Sequence, residues 1–335
     1  MNTLRLFGAH DLRLLDEPTP KPASGEVLLK VASVGICGSD THWFSEGSIG
    51  GVPLTQPLVL GHEFTAVVAS GDRRSTRVAV DPAIACGVCE FCQEGNPNLC
   101  PTVRFAGTGT VDGALAEFIT WPAKNLFPLP DSVSNVDGAL LEPLGVAMHA
   151  LSLAHVKPGT SVGVYGSGPI GLLIVQLARL SGATRIYTSD LREERLQAAL
   201  DMGAAEVFMA DEHERDKIKA ATGGRGVDIA FEVAGEDEAV ETAVVTAKPG
   251  GRVVIVGIPS EDHTTFTASV ARKKGLTIMM CRRMKHTYPR AIDLVASGRI
   301  NLKSLVTHCF PFAEDQKAFL AAEKREGIKV VIELS

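Results

Sequence analysis

The sequence predicts an α/β protein with two domains, one rich in β-strands and one built on a doubly wound parallel sheet. The 335 residues exceed the roughly 250–300 that a single hydrophobic core usually serves. Up to about residue 135, short apolar runs alternate with turn residues, whereas from about residue 160 apolar runs alternate with helical patterns. A composition of 45% hydrophobic and 21% charged residues is that of a globular protein with a sizeable core.

The first part of the chain is predicted to be an antiparallel, mostly β domain. Its strand candidates alternate Val, Leu, Ile and Phe with Gly, Pro and Asp between them: EVLLKVASVGI, LVLGHEFTAVVAS, RVAVDPAI and AEFITWPAKNLFPLP. The stretch SNVDGALLEPLGVAMHALSLA then has apolar residues at helical spacing, with Ser134 or Asn135 as its N-cap. The architecture therefore changes at this helix.

A dinucleotide-binding motif follows the helix. An apolar run at 161–165 leads into a glycine-rich turn, a long apolar helix and a second strand that ends at Asp190. The turn contains Gly166, Gly168, Pro169, Ile170 and Gly171. Gly166 allows the tight turn, Gly168 lets the backbone approach a pyrophosphate, and Gly171 permits close contact between helix and strand. The amides and dipole at the start of the helix favour the phosphate charge.

The residues after the second strand bear on the choice of cofactor. Asp190 is predicted to accept hydrogen bonds from the adenosine ribose and to repel the 2′-phosphate of NADP, which favours NAD. Arg192 and Arg195 lie close by in the sequence. They are either cofactor-binding residues that admit NADP or solvated residues of the helix LREERLQAAL.

Further alternation completes the predicted sheet. The buried-strand candidates GVDIAFEVAG and GGRVVIVGIP are separated by the helical EAVETAVVTAKPGG, which predicts a parallel, doubly wound arrangement. After residue 285, YPRAIDLVASGRI is predicted to be a helix and GIKVVIEL a closing strand.

Four of the seven cysteines lie within fifteen positions: Cys86, Cys89, Cys92 and Cys100. The spacing C-x2-C-x2-C-x7-C allows four thiolates to close a tetrahedral zinc site, which would be structural because no position stays open for a substrate. An iron–sulfur cluster and free or redox-active thiols are the alternatives.

Charge and termini exclude several classes of partner. The formal net charge of −6, without a Lys/Arg-rich run, predicts no binding to nucleic acid or to an anionic membrane. The first residues show no signal-peptide pattern and no later window approaches about 18 uncharged apolar residues. We therefore expect a cytoplasmic protein, in which clustered cysteines hold metal rather than form disulfides.

Two further segments contain residue types that bind metal or move protons. They are SVGICGSDTHW at 33–43 and LGHEF at 60–64. Each residue taken singly has a structural alternative: Cys37 as a small buried hydrophobe, His62 as a core imidazole and Glu142 as a surface charge on a helix.

The ordered combination of GICGSDTHW, GHE, the four-cysteine loop, EPLGVAMH, GSGPIG and VTH at 306–308 resembles the zinc-dependent medium-chain dehydrogenases over essentially the whole chain. ALLEPLGVAMHA, RRMKHTYPRAI and LKSLVTHCFPF are most similar to the polyol branch, the sorbitol, xylitol and L-iditol dehydrogenases, with L-idonate dehydrogenase close by. The resemblance implies a GroES-like catalytic domain, residues 1–140 and 284–335. It encloses a Rossmann NAD-binding domain over 141–283, with substrate in the cleft between them and a dimeric or tetrameric assembly.

The resemblance also implies a catalytic zinc held by Cys37, His62 and an acid, either Glu63 or Glu142. One of these carboxylates would bind zinc and the other would hold its water. Oxygen ligands in place of a thiolate make the ion a harder Lewis acid. Asp40 would orient His62 through the other ring N–H.

Ser39 and His42 match the proton relay of the family, in which the hydroxyl takes the alcohol proton and the imidazole passes it to solvent. An ordinary surface histidine is the alternative for His42. Lys329 is similar to a basic residue that reaches the cofactor pyrophosphate, and an exposed lysine is its alternative.

The implied substrate pocket contains Phe105, Thr108 and Arg283, with Arg283 able to hydrogen-bond distal hydroxyls or a sugar-acid carboxylate. Met284 departs from the tyrosine often found there, which leaves the polyol undetermined. The predicted function is reversible, NAD-linked oxidation of a secondary hydroxyl of a polyol to a ketose. L-idonate, threonine and simple-alcohol dehydrogenases are rivals, and a non-catalytic dinucleotide-binding protein is a rival from another class.

Overall fold

The computed structural model describes residues 1–334, which fold as two compact units. The first consists of Met1–Gly145 together with the chain from Lys285 onward, and the second of Val146–Met284. The predicted boundaries, after 140 and after 283, fall five residues and one residue before these divisions. The helix Leu141–Ala154 runs through the first division, so no turn in the sequence marks it.

The elements of the first unit before residue 146 form mostly short strands. The strands are β1 (Asn2–Gly8), β2 (Asp11–Asp16), β3 (Glu26–Gly35), β4 (Ser48–Ile49), β5 (Val52–Pro53), β6 (Leu58–Val59), β7 (Glu63–Val68), β8 (Arg77–Val80), β9 (Ala83–Ile84), β10 (Arg104–Phe105), β11 (Phe118–Pro122) and β12 (Leu126–Pro128). The helices are α1 (Gly38–Glu46), α2 (Glu90–Gln93), α3 (Asn135–Ala139) and α4 (Leu141–Ala154), the last continuing into the second unit.

The second unit alternates strands and helices. These are β13 (Ser161–Tyr165), α5 (Pro169–Leu180), β14 (Arg185–Asp190), α6 (Glu193–Met202), β15 (Glu206–Met209), α7 (Glu214–Ala221), β16 (Val227–Glu232), α8 (Asp237–Thr246), β17 (Ala247–Ile255), α9 (Ala268–Lys274) and β18 (Thr277–Met280). The chain then returns to the first unit through α10 (Tyr288–Ala296), β19 (Val306–Pro311), α11 (Asp315–Glu323) and β20 (Lys329–Glu333).

The main sheet of the first unit has the order β12-β8-β7-β3-β20-β19, and β11 also pairs with β3. Its pairs are antiparallel as predicted, except that β19 and β20 are parallel. Alternating apolar residues place Leu29, Phe64 and Trp121 in a core that also receives Phe319 from α11. This sheet holds the site described below.

The sheet of the second unit is parallel and ordered β15-β14-β13-β16-β17-β18. The strand order reverses between β13 and β16, which is where open α/β sheets bind ligands beyond the carboxyl ends of their strands. Central strands are almost wholly buried because helices cover both faces of such a sheet.

The helix predicted near 134–154 is interrupted at Leu140. Ser134 caps its first part, since the hydroxyl accepts a hydrogen bond from the Asp137 amide at 3.0 Å. The Leu140 amide donates to the Asp137 carbonyl three residues back, so α3 ends in a tight turn before α4 begins. No helix within residues 1–334 is long and apolar enough to cross a membrane.

Candidate active site and metal centres

Three side chains distant in sequence form a cluster in the first unit. The strands β3 and β7 pair in register with Gly35 opposite Glu63, and Cys37 follows β3 while His62 precedes β7. Candidate ligand atoms of Cys37, His62 and Glu63 all lie within 4.8 Å of one another. His62 and Glu63 are buried, and Cys37 is half-buried.

This donor set suits a catalytic zinc ion. A thiolate, an imidazole and a carboxylate are ligands that zinc takes, and three protein ligands leave a fourth position for substrate. Burial would by itself lower the pKa of His62, but the charges of Asp40 and Cys37 outweigh it and raise that pKa well above its usual range. The negative surroundings therefore favour a cation at this position.

Asp40 lies beside the cluster and hydrogen-bonds to the backbone next to its ligands. Its buried carboxylate accepts hydrogen bonds from the Cys37 amide at 2.9 Å and the Gly61 amide at 3.2 Å. The Oδ1 atom lies 3.6 Å from Nδ1 of His62, slightly beyond hydrogen-bond distance. With Nδ1 facing this carboxylate, Nε2 is the ring nitrogen left to bind a metal.

Lys329 is not the exposed lysine that was one alternative, because the structure buries it with 3% exposure. Its assignment to the cofactor pyrophosphate stays a prediction. Its Nζ lies 2.5 Å from Oε2 of Glu63 and donates to the Ile36 carbonyl at 2.8 Å. Burial would lower the pKa of Lys329, but Glu63 and Cys37 outweigh it and raise that pKa. The ammonium thus offsets part of the negative charge of the cluster.

The close approach of Lys329 and Glu63 depends on Gly35. A Cβ atom at that position would overlap Oε2 of Glu63 and lie 3.1 Å from Cε of Lys329. The sequence did not predict this ion pair. The available signal was a lysine at the head of the apolar strand KVVIE, where a charge needs a partner.

Glu142 lies in the first turn of α4 and is buried, with 5% exposure. It is not in the three-residue ligand cluster. Burial raises the pKa of Glu142 to about 7, with the charge of His62 lowering it and that of Glu63 raising it. The sequence did not distinguish the two acids, but the structure does. Glu63 offers one of the three ligand atoms, whereas Glu142 lies outside the ligand cluster and has a raised pKa.

Helix α1 carries both residues of the predicted proton relay. Ser39 is buried in its first turn, and His42 is one turn further, half-buried. The Nδ1 atom of His42 lies 2.7 Å from Oε1 of Glu46. Glu46 was not among the predicted residues, although a spacing of four residues from His42 on a helix indicates such a pair. The pair orients the imidazole and leaves Nε2 for proton transfer.

The predicted substrate residues lie on both units. The Phe105 ring is 5.1 Å from the His62 ring, and the Thr108 hydroxyl donates to the Phe105 carbonyl at 3.0 Å. Phe105 therefore borders the metal cluster, and Thr108 is hydrogen-bonded to its backbone. Arg283 belongs to the second unit and has left-handed backbone geometry, with φ of 53°.

The four cysteines form a second metal centre. Their sulfurs all lie within 4.8 Å of one another, and Cys86 and Cys92 are 4.0 Å apart. That separation is far from a disulfide bond of ~2.05 Å and near the ~3.8 Å edge of a tetrahedron with 2.3 Å zinc–sulfur bonds. The Cys86 amide donates to Sγ of Cys100 at 3.4 Å and, with Thr102, lowers the pKa of Cys100 to about 6. The loop thus favours the thiolate of Cys100 and lowers the pKa of Cys86, whereas burial raises the pKa of Cys92 to about 12.

The glycine motif has the geometry of a dinucleotide turn. Gly166 follows β13 with φ of 106°, and α5 begins at Pro169. A Cβ atom on Gly171 would overlap the Gly166 carbonyl, so helix and turn touch. Asp190 accepts hydrogen bonds from the Ser167 amide at 2.7 Å and the Arg192 amide at 3.0 Å. Asp190 is therefore the last residue of β14 and also stabilises the glycine turn through a hydrogen bond.

Arg195 is closer to the turn than a solvated helix residue would be. A Cβ atom built on Gly168 lies 3.9 Å from Nη1 of Arg195. Arg192 instead faces Glu194, with Nη1 and Oε1 3.5 Å apart. The charge of Arg195 therefore lies beside the glycine turn.

Together, a dinucleotide turn on a parallel sheet, a three-ligand cluster and a four-cysteine loop define a zinc-dependent, nicotinamide-linked dehydrogenase. The chain belongs to the zinc-dependent medium-chain dehydrogenase family. Residues 23–131 match the alcohol dehydrogenase GroES-like domain and residues 169–297 match the zinc-binding dehydrogenase domain. These matches confirm the predicted family, fold class and kind of enzyme, and with them the prediction of zinc and a nicotinamide cofactor.

Individual relatives cover nearly the whole chain. It is 37% identical to sorbitol dehydrogenase of Bacillus subtilis, over 99% of this chain and 97% of that protein. It is 38% identical to the "Probable D-xylulose reductase A" of Arthroderma otae, over 98% and 95% of the two chains. The crystal structure of L-idonate 5-dehydrogenase from Escherichia coli superposes with a TM-score of 0.92 at 28% identity, over 99% and 98% of the two chains.

Proposed function

We propose that the protein catalyses reversible, NAD-linked oxidation of a secondary hydroxyl of a polyol to the corresponding ketose. The observation that carries the proposal is the Cys37–His62–Glu63 cluster, in which a carboxylate completes the donor set. The sorbitol dehydrogenase and D-xylulose reductase names of its relatives support a polyol as the substrate class.

We assign direct zinc binding to Glu63 and a nearby proton-holding role to Glu142. A zinc ion bound by Cys37, His62 and Glu63 would supply Lewis-acid polarisation of the substrate hydroxyl, and NAD would accept the hydride. The Asp40 carboxylate lies beside Nδ1 of His62, and Lys329 balances the charge of the Glu63 carboxylate. Glu142 is suited to hold a proton because burial keeps its acidity weak.

The alcohol proton leaves along helix α1. Ser39 accepts it at the hydroxyl and passes its own proton to His42, which releases one to solvent. His42 is placed for the last transfer because its side chain is 23% exposed while its Nδ1 atom is held by Glu46.

Phe105, Thr108 and Arg283 are assigned to the substrate. A guanidinium pairs well with distal hydroxyls and with carboxylates. Arg283 therefore also favours a second candidate, a sugar acid, and the likeness to L-idonate 5-dehydrogenase supports keeping it. Turnover of L-idonate in place of polyols would identify this alternative.

NAD is the proposed cofactor. The carboxylate of Asp190 ends β14, where the adenosine ribose of a bound dinucleotide lies, and its charge opposes a 2′-phosphate. Gly166, Gly168, Pro169, Ile170 and Gly171 are assigned to the pyrophosphate, and Arg195 is assigned to its charge.

A homo-oligomer, dimeric or tetrameric, is part of the proposal. The strand β18 ends the parallel sheet with an unpaired edge, and Met280 on it is 64% exposed. Exposed apolar edge strands are places where a second chain adds on. A cytoplasmic location fits the seven cysteines, all of which are free of disulfide bonds.

The test is growth of NADH absorbance with purified protein and a substrate panel: sorbitol, xylitol, L-iditol, galactitol, L-threitol, L-idonate, threonine and ethanol. Each is assayed with NAD and with NADP, and zinc per chain is measured on the same sample. We expect turnover of a polyol with NAD at two zinc ions per chain. Turnover confined to L-idonate, threonine or ethanol contradicts the proposed substrate, and no turnover at full zinc content contradicts the proposed activity.

A further inference from the structure

A buried acid outside the metal cluster has no role in the proposed reaction. Glu232 is the last residue of β16 and has 0% exposure. Leaving a carboxylate without contact to water costs stability unless hydrogen bonds compensate. Its position, at the carboxyl end of a central strand beside the reversal of strand order, is where an α/β sheet binds its ligand.

The Glu232 carboxylate hydrogen-bonds to the loop that follows β16. Oε1 accepts hydrogen bonds from the amides of Ala234 and Gly235, both at 2.6 Å. Burial raises the pKa of Glu232, and these two amides oppose the rise. The bonds turn the chain sharply, and Gly235 takes a left-handed φ of 77° there. The side chain therefore fixes the course of residues 233–235.

This loop lies against the glycine turn. A Cβ atom on Gly166 would lie 3.0 Å from the Ala234 nitrogen, and the Val233 amide donates to the Tyr165 carbonyl at 2.9 Å. The loop after β16 thus packs against the glycine turn that precedes α5. A displacement of the loop would change the space beside the pyrophosphate position.

The same carboxylate meets the loop after β17. A Cβ atom on Gly257 would lie 2.8 Å from Oε2 of Glu232 and would overlap the Gly235 nitrogen. The Glu232 carbonyl also accepts from the Val256 amide at 2.8 Å. Ala234 and Ile258, one on each of these two loops, are exposed. Glu232 therefore contacts both loops. The two loops expose apolar side chains, and they lie on the side of β13 away from Asp190.

We propose that Glu232 is a positioning residue of the cofactor site, whose carboxylate sets the loops 233–235 and 256–258 that receive the nicotinamide half of NAD. The two halves of such a sheet bind the two nucleotide halves, and Asp190 on β14 belongs to the adenosine half. The inference rests on the proposed use of NAD and goes beyond it, because it assigns a residue that does not touch the reacting atoms.

The test compares NADH with AMP, which carries only the adenosine half. Dissociation constants are measured by fluorescence titration for NADH and by competition for AMP, on the wild-type protein and on Glu232→Leu and Glu232→Gln. In Glu232→Leu we expect NADH to bind at least tenfold more weakly and AMP to change less than twofold. Glu232→Gln keeps an acceptor for both amides, so NADH binding should stay within about threefold of wild type.

Glu214→Leu is the matched control. Glu214 is another buried acid of the second unit, whose carboxylate accepts from the Thr242 hydroxyl at 3.0 Å on helix α8. We expect this variant to lose stability without selective loss of NADH binding. If Glu232→Leu does not fold, Glu232→Asp serves, since a side chain shorter by one methylene withdraws the carboxylate from both amides.

Two results would overturn the inference. One is a folded Glu232→Leu or Glu232→Asp protein that binds NADH like wild type, and the other is an equal loss of NADH and AMP binding. Because the readout is binding, a missing polyol activity does not affect it. Absence of NADH binding in the wild-type protein would instead refute the use of the cofactor itself.

Discussion

Glu63 and Glu142 show how surroundings divide the work of two identical side chains. Glu63 lies within reach of Cys37 and His62 and is paired with Lys329, so its negative charge is stabilised. Burial disfavours the charge of Glu142 and raises its pKa to about 7, although the charges of His62 and Lys329 lower it. A group that holds a proton near neutral pH suits the role proposed for Glu142.

The role of His42 in the proton relay can be tested by substitution. In His42→Gln we expect kcat to fall about tenfold or more, because the last proton transfer loses its imidazole. The KM for NAD should change little. Added imidazole buffer should restore part of the rate, since a diffusing base can replace the missing one at a partly exposed position.

His10→Gln is the control for this experiment. His10 also pairs with a glutamate, Glu323, at 2.8 Å on the same unit, but lies outside the metal cluster. Its variant should keep the wild-type kcat. An unchanged kcat in His42→Gln, or a loss that imidazole does not restore, would remove His42 from the relay.

The sequence predicted residues whose role follows from local pattern and missed those whose role depends on distant partners. The glycine turn was accessible because its strand, turn and helix are contiguous. The partner of Lys329 was not accessible, because β20 comes beside β3 only after the whole second unit intervenes in the chain. Glu232 likewise showed only the apolar pattern of its strand, although its function is to hold the loop that follows.

The pairing of β3 with β7 can be tested by a substitution at Gly35. In Gly35→Ala the methyl group would occupy the space of the Glu63 carboxylate and push it from Lys329. We expect zinc content to fall from two ions per chain to about one, with activity lost and the four-cysteine site still loaded. Elemental analysis together with the NADH assay measures both.

Gly38→Ala is the matched control, because a Cβ atom there meets nothing within 4 Å at the start of α1. It should retain both zinc ions and full activity. If Gly35→Ala also retains both, the close packing of Gly35 against Glu63 does not matter for metal binding.

Asp228, at the start of β16, supports a prediction about pH. Burial alone would raise its pKa, but hydrogen bonds from Arg225, Lys248 and Ser161 outweigh burial and hold the pKa well below the usual range. A carboxylate with a depressed pKa stabilises the folded state above its unfolded pKa of about 3.9. That contribution is lost as the pH falls through the folded value.

We therefore expect Asp228→Asn to be less stable than wild type by about 1–2 kcal/mol at pH 7, a figure reduced because the group is partly exposed. The difference should shrink as the pH falls from about 4 toward 2. Urea unfolding at several pH values measures it. Asp131→Asn, at a fully exposed acid 3.8 Å from Arg77, should show no such difference. A pH-independent gap for Asp228→Asn would contradict the linkage.

Element types followed from periodicity more reliably than element ends. The strands β13 and β14 agree with the predicted runs, since β13 is a short, mostly apolar run before the glycine turn and β14 is a mostly buried run that ends at Asp190. The break at Leu140 was not predicted, because apolar spacing continues through it from α3 into α4. There the hydrogen bonds of the turn, and not the pattern of side chains, end the helix.

At the scale of the whole molecule, the chain separates two uses of zinc within one unit. The four cysteines lie between residues 86 and 100 and close on themselves, so that loop obtains its metal ligands locally. The catalytic cluster takes Cys37 and His62 from the adjoining ends of two antiparallel strands, and Lys329 comes from the returning C-terminal segment. The first centre thus needs only its loop, whereas the second needs the folded sheet.

This division predicts opposite phenotypes for two substitutions of the same kind. Cys37→Ser should lose one zinc ion per chain and nearly all activity, while its melting temperature stays near that of wild type, because the strands around it keep their core. Cys89→Ser should first lower the melting temperature, because the loop from 86 to 100 has few buried apolar residues and depends on its metal for order.

Cys309→Ser, at an exposed cysteine outside both centres, is the control for changing a thiol to a hydroxyl and should alter neither property. Metal content, activity and melting are measured on all three proteins. An active Cys37→Ser enzyme, or a Cys89→Ser protein that melts like wild type with one zinc ion missing, would show that the two centres do not divide catalysis and stability in this way.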